Sequence, residues 1–284
     1  MDNSVSSVAA GYALTTFSTL DNLFQELETT RVQCLVVGYV NRQTYQSICA
    51  ERAKRGIRYR FTLYLPEIQA LFIAMPNPRH DAASQHLECA IARRVNAMGL
   101  GQDWLYEGSI TYFHRLNGDL LSSREGTSAG RPRSLRPSIL HWPTMTVECG
   151  PSHSMPQLRE TALWWFRASR HDVKVALLFE VDTYAECITI ENWRLDQCRG
   201  RDGSFVLDPR CVQRVIIERV TNASGTIPIT SYVVFYGPLR LDFEALFLRP
   251  PRRVTAERDV IISNQELRRL AEAIWNAEGG IGEA

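Results

Sequence analysis

The stretch Val173–Val181, VKVALLFEV, constrains this chain most, because it is apolar throughout except at Lys174 and Glu180. A run of that kind reads as a strand covered on both faces, since a strand with one wet face would alternate. It is also far too short to cross a bilayer. Upstream, PTMTVECG (Pro143–Gly150) reads as a strand that stops at glycine. Between them, Ser154–Ser169 sets Leu158, Ala162, Trp165 and Phe166 on one helical face. Strand, helix and buried strand in succession predict a right-handed β-α-β crossover, with strands 143–149 and 173–181 parallel in one sheet.

The other segments are built around this unit. Asp21–Thr30 and Thr44–Arg55, the latter stopped by Gly56, read as helices, with Gln33–Tyr39 as a strand between them. Arg58–Leu65 and Gln69–Met75 read as two strands separated by Pro66-Glu67. His80–Met98 carries apolar residues at 83, 87, 90, 91, 95 and 98, a helical spacing ended by Gly99. Asp103–Phe113 reads as one strand, Asn117-Gly118 as a turn, and Ser122–Ser138 as a loop or weak edge strand. Strands follow at Cys187–Trp193, Val212–Val220 and Thr230–Tyr236, and the Ser263–Glu266 capping box opens a last helix to about Ala277. The expected fold is α/β, with a mixed sheet and a β-rich C-terminal extension. The expected organisation is a flexible arm at 1–20, a helix/strand segment at 21–57, a core at 58–193, and C-terminal strands with a closing helix at 194–284 packed on the core.

Composition narrows the function. Of 284 residues, 45% are apolar, enough for a real core, and the formal net charge of +1 excludes a strongly basic nucleic-acid coat while leaving room for a local basic groove. Lys54 and Lys174 are the only lysines, so any mechanism needing a lysine has two candidates. Seven cysteines without a C-x-x-C pair argue against a zinc ribbon or redox dithiol and, with several such as Cys34 and Cys89 inside apolar runs, read as buried reduced thiols. The acidic N-terminus lacks the basic region of a signal peptide. An intracellular protein, cytoplasmic or nuclear, is expected, with no membrane and no small-molecule cofactor as partner. No phosphate-binding glycine loop, G-x-S-x-G elbow or H-E-x-x-H motif is present.

The runs FIAMPNPRHDAASQHLECAIARRVNAMG, PTMTVECGPSHSMPQLRETALWWF and VKVALLFEV together resemble the restriction-endonuclease-like (PD-(D/E)XK) superfamily. In particular they resemble the Uma-type family of predicted bacterial nucleases and a related group of mostly fungal, uncharacterised proteins. The resemblance covers about 58–193 and rests most on E-C-G-x-S-x-S followed by W-W. It implies an α-β-β-β-α-β core and Mg²⁺-dependent phosphodiester hydrolysis, with DNA as a partner. In that chemistry, hard carboxylates hold the metal, which activates water and neutralises transition-state charge.

Carried onto this chain, Glu148 matches the acid at the strand end. Thr127 stands where the second metal-binding Asp is expected, with Glu125 or Asp119 as possible substitutes. Gly150 stands where many relatives keep lysine, and Thr161 replaces a helical acid. Lys174 should lie about four residues of strand from Glu148, roughly 13 Å, which is too far to replace it. The candidate catalytic set is therefore Glu148, Arg159, Glu125 and His153, with Glu148 and Thr127 as metal positions. Arg159 stays protonated and could clamp phosphate or pair with Glu148. His80 reads as a capping or packing residue, and Trp164 and Trp165 as core and rim aromatics. Arg124, Arg131, Arg133 and Arg136 form a basic loop that either tracks phosphates or is simply solvated. Two functions follow: a degenerate or weak Mg²⁺-dependent phosphodiesterase related to mobile-element or restriction-type nucleases, or a non-catalytic nucleic-acid- or protein-binding module on the same fold.

Overall fold

The computed structural model describes residues 12–57, 59–108, 110–199, 204–222 and 229–277. The chain divides into two compact units, 1–77 with 109–126 and 78–108 with 127–284.

The first unit begins with β1 (Ala13–Thr16), α1 (Leu20–Thr29), β2 (Cys34–Gly38), α2 (Arg42–Arg55), β3 (Arg60–Leu65) and β4 (Ala70–Ala74). Thr19 caps α1 and Asn41 caps α2 through side-chain oxygens, and Gly56 ends α2 at φ +64, a left-handed conformation that favours glycine. The expected arm at 1–20 is corrected in part: residues 13–16 pair in parallel with β2, while residues 1–11 lie outside those described. The reason is local, because Tyr12 and Leu14 pack beside Phe72 while Ala13 and Phe17 join the cluster around Leu35 and Val37.

The chain then leaves this unit for α3 (Pro78–Ala97) and β5 (Trp104–Glu107), and returns for the hairpin β6 (Thr111–Leu116) and β7 (Asp119–Glu125). Asn117 and Gly118, both at positive φ, make its turn. The single strand expected over 103–113 is thus two strands in two sheets, broken at Gly108. The first sheet runs β1-β2-β4-β3-β7-β6.

The second unit continues with β8 (Ser128–Pro132), β9 (Met145–Pro151), α4 (Met155–Ala168), β10 (Val175–Asp182), β11 (Cys187–Arg199), β12 (Phe205–Asn222) and β13 (Ile229–Phe235). It closes with β14 (Leu239–Leu241), α5 (Phe243–Phe247), β15 (Val260–Ile262) and α6 (Asn264–Asn276), the last opened by the expected Ser263–Glu266 capping box. Its sheet runs β13-β12-β11-β10-β9-β8-β5. Strands β9 and β10 are parallel and joined through α4, while β5, β8 and β9 are successively antiparallel. The order α3, β5, β8, β9, α4, β10 is the α-β-β-β-α-β core that the resemblance implies, and β11–β13 extend it into a β-rich C-terminal part.

The stretch 122–138, expected as a loop or weak edge, instead supplies β7 and an interior strand, β8, which is buried along its length between β5 and β9. Its glycine has a purpose, because a Cβ at Gly130 would lie 2.4 Å from the Trp104 ring. On one face of the sheet, Met145, Val147, Val175, Leu177 and Phe179 pack with Leu87 and Ile91 of α3 and Leu267 and Ile274 of α6. The alternate residues, Thr146 and Glu148 among them, turn to the other face, where α4 lies.

The first unit has a polar anchor as well as apolar clusters. Arg52 forks onto both oxygens of Glu125 at 2.7 and 2.8 Å, and Phe61 N (2.9 Å) and Thr111 Oγ1 (2.6 Å) donate to the same carboxylate. Glu125 is 1% exposed, so its removal strands the Arg52 charge. We expect Glu125→Ala to lose about 3 kcal/mol in urea unfolding. A loss below about 0.5 kcal/mol, the size of an ordinary surface change, would show that the anchor is dispensable.

Candidate functional site

The candidate site is where β8 begins beside the end of β9. Thr127 N donates to Val147 O at 3.0 Å, and Thr127 Oγ1 accepts from Cys149 N at 3.0 Å. This sets Thr127 next to Glu148 across adjacent strands. Glu148 is buried, and its Oε1 accepts the Trp165 indole N–H at 2.6 Å. Trp165 is fully buried and meets Trp164 and Trp142 edge-on at 5.0 and 6.0 Å between ring centroids. There is little room at Gly150, where the resemblance leads one to expect lysine: a Cβ there would lie 2.3 Å from Ser154 Oγ, at the start of α4.

The remaining candidates lie elsewhere. Arg159 does not pair with Glu148; its guanidinium grips Glu191 on β11, Nη2 to Oε1 at 2.7 Å and Nε to Oε2 at 3.0 Å. The correction follows from register, since Leu178 on β10 stands between Glu148 and Glu191, so the two acids flank one strand and α4 reaches both. His153 is exposed in the turn before α4 at φ +63. Glu125 belongs to the first unit and is held by Arg52, and Asp119 is exposed there, 3.7 Å from Arg42. His80 is buried in the first turn of α3, which opens at Pro78. Lys174 N donates to Thr144 O, four residues back along β9 from Glu148, and Lys174 Nζ donates to His171 O at 2.6 Å. Burial, aided by Arg136, pushes its pKa down.

The basic loop is corrected at two of its arginines. Arg131 is buried, paired with Glu107, and donates to the carbonyls of Arg136 and Ser138. Arg136 is buried and donates to the carbonyls of Trp142 (2.6 Å), Pro143 (3.0 Å) and Asp172 (2.9 Å). These guanidiniums satisfy backbone that would otherwise be buried without a partner. Arg133 remains exposed.

The sequence reading missed Glu191. It is fully buried and takes bonds from Arg159, Arg214 (2.9 Å) and Trp193 Nε1 (2.8 Å). The available signal was an acid at the strand position where Ile188 and Ile190 alternate with polar residues. Burial alone would raise the Glu191 pKa, but its three donors outweigh burial and hold it below the usual range.

A magnesium ion fits these residues poorly. Among the described residues, no group of three or more His, Cys, Asp or Glu side chains could hold a metal. At Glu148 and Thr127, one carboxylate is bonded to an indole and its neighbour is a neutral hydroxyl, whereas Mg²⁺ sites rely on carboxylates with phosphate oxygens and water.

No family model matches the sequence, and no curated protein is significantly similar to it. Among solved structures, a predicted nuclease belonging to DUF820, from Anabaena variabilis ATCC 29413, is similar in shape. It shares 13% identity, with a TM-score of 0.39, and the match covers 74% of this chain and 90% of that one. No described helix is long and apolar enough to cross a membrane.

The lowered pKa of Glu191 sets an acid limb of stability. Its contribution is complete above the ordinary glutamate pKa of about 4.3 and is lost as pH falls through the lowered folded-state value. We expect Tm to fall as pH drops through this window, and Glu191→Gln to flatten that fall. Parallel Tm-versus-pH curves for wild type and variant would exclude Glu191 as its source.

Proposed function

We propose that this chain is a nuclease-fold protein in which phosphodiester hydrolysis is lost or very weak, and that it acts by binding nucleic acid. The supporting observation is how the two family metal positions are used: Glu148 accepts from Trp165, and Thr127 accepts from the backbone of β9. Glu148 serves the junction between sheet and helix, and Thr127 the junction between two strands of the sheet. A carboxylate drawn from that role toward a cation would leave a buried indole N–H without its acceptor, at a cost of about 1–3 kcal/mol. The occluded position at Gly150 points the same way, because no lysine fits there unless Ser154 shifts. The α-β-β-β-α-β order, with the sequence resemblance, favours nucleic acid as the partner.

The test has two readouts. In the first, supercoiled plasmid is incubated in Mg²⁺ and in Mn²⁺ with wild type, Glu148→Gln and Thr127→Asp. We expect no metal-dependent nicking by wild type. Robust nicking by wild type that disappears in Glu148→Gln would overturn the loss of hydrolysis. In the second, a labelled DNA duplex is titrated in EDTA, where we expect binding that weakens with salt. Absence of any shift at low salt would overturn the binding role.

A further inference from the structure

We propose that the turn Ser138–His141 is an apolar wedge that enters a base step of duplex DNA while arginines around its base hold the phosphates; this rests on the nucleic-acid reading above. His141 N donates to Ser138 O at 3.0 Å and closes the turn. Its two central residues are Ile139 and Leu140, exposed by 64% and 87%. Such positions usually carry Gly, Pro, Asn, Asp or Ser. Two adjacent aliphatic side chains at a projecting tip face water with no local conformational reason to be there.

The tip is held in this shape. Ser138 N donates to His141 Nδ1 at 3.2 Å, and Leu140 N donates to Ser138 Oγ at 3.2 Å. Beneath it, buried Arg131 holds the Ser138 carbonyl and buried Arg136 holds those of Trp142 and Pro143. Trp142 then rests edge-on against Trp164, 6.0 Å between ring centroids. Because the base is fixed on both sides, the aliphatic tip does not fold back onto the core.

The charge around the base is positive. Arg133 is exposed in the same loop. Arg167 is exposed one turn beyond Trp164, and Arg170 just past the end of α4, which meets the loop through the Arg136–Asp172 hydrogen bond at 3.2 Å. That bond engages Asp172, while Asp103 accepts from Ser134 N and Oγ at 2.6 and 2.9 Å. Glu160, exposed one turn before Trp164, is an acid on this same helical face, set against the exposed Arg133, Arg167 and Arg170. An aliphatic wedge flanked by arginines is the device by which proteins unstack and kink DNA. Guanidinium forks suit phosphate oxygens. A convex tip of two residues matches the opening of a single base step.

The probe is a DNA duplex carrying an internal 2-aminopurine, whose fluorescence rises when it unstacks, read alongside anisotropy. Wild type should bind and raise the 2-aminopurine signal. Ile139→Ser/Leu140→Ser, checked for folding by circular dichroism, should lose that rise and weaken binding by about tenfold or more. Arg133→Gln/Arg167→Gln should weaken binding and make it less salt-dependent, by about one unit of log–log slope for each phosphate left unneutralised. If wild type binds but the tip variant binds and unstacks equally well, the wedge is overturned and the nucleic-acid reading stands. If wild type binds no duplex, both fall. Binding to phosphatidylserine vesicles in place of duplex, lost in the tip variant, would overturn the wedge and assign the tip to a lipid surface.

Discussion

Strand β9 is buried through its middle, and that burial dictates what each of its polar groups must do. An acid on such a strand persists only with a donor beside it. Glu148 has the Trp165 indole, and one strand beyond β10, Glu191 has two arginines and a second indole. The helix α4 supplies partners to both, so its seat on the sheet and the charge on Glu191 beneath it are set together. Glu148 ties a helix to a sheet.

Much of this arrangement was legible in the sequence. The uniform run VKVALLFEV foretold a doubly covered strand, and the sixteen residues before it foretold the crossover helix, because apolar spacing and flanking breakers agreed. What was not legible depended on partners distant along the chain. SAGRP looks like a loop by composition, yet it is an interior strand because β5 and β9 both pair with it. The basic character of Arg131 and Arg136 gave no hint that carbonyls and Glu107 would absorb them. Arg159 was read toward Glu148, which ends the strand leading into the same crossover helix. Only the register across β10 revealed that Glu191 competes for it.

The same two buried arginines explain how a loop of serine, proline and aliphatic residues keeps one shape. Each guanidinium serves several carbonyls, work that a strand ladder does elsewhere. A lysine could reach one or two of those oxygens but could not present a planar fork to three. The near-absence of lysine from the chain is consistent with cations used as internal scaffolding, as at Arg52, Arg131, Arg136, Arg159 and Arg249.

The alternation of the chain between its two units has an evolutionary consequence. Backbone passes from one to the other at 77/78, 108/109 and 126/127. No single cut therefore yields one unit whole, and no single recombination joint can trade either for a homologous module. The hairpin β6–β7 completes the sheet begun by β1–β4, yet in the gene it lies between segments that encode the other unit. Such a chain diversifies by substitution within a fixed framework rather than by exchange of parts.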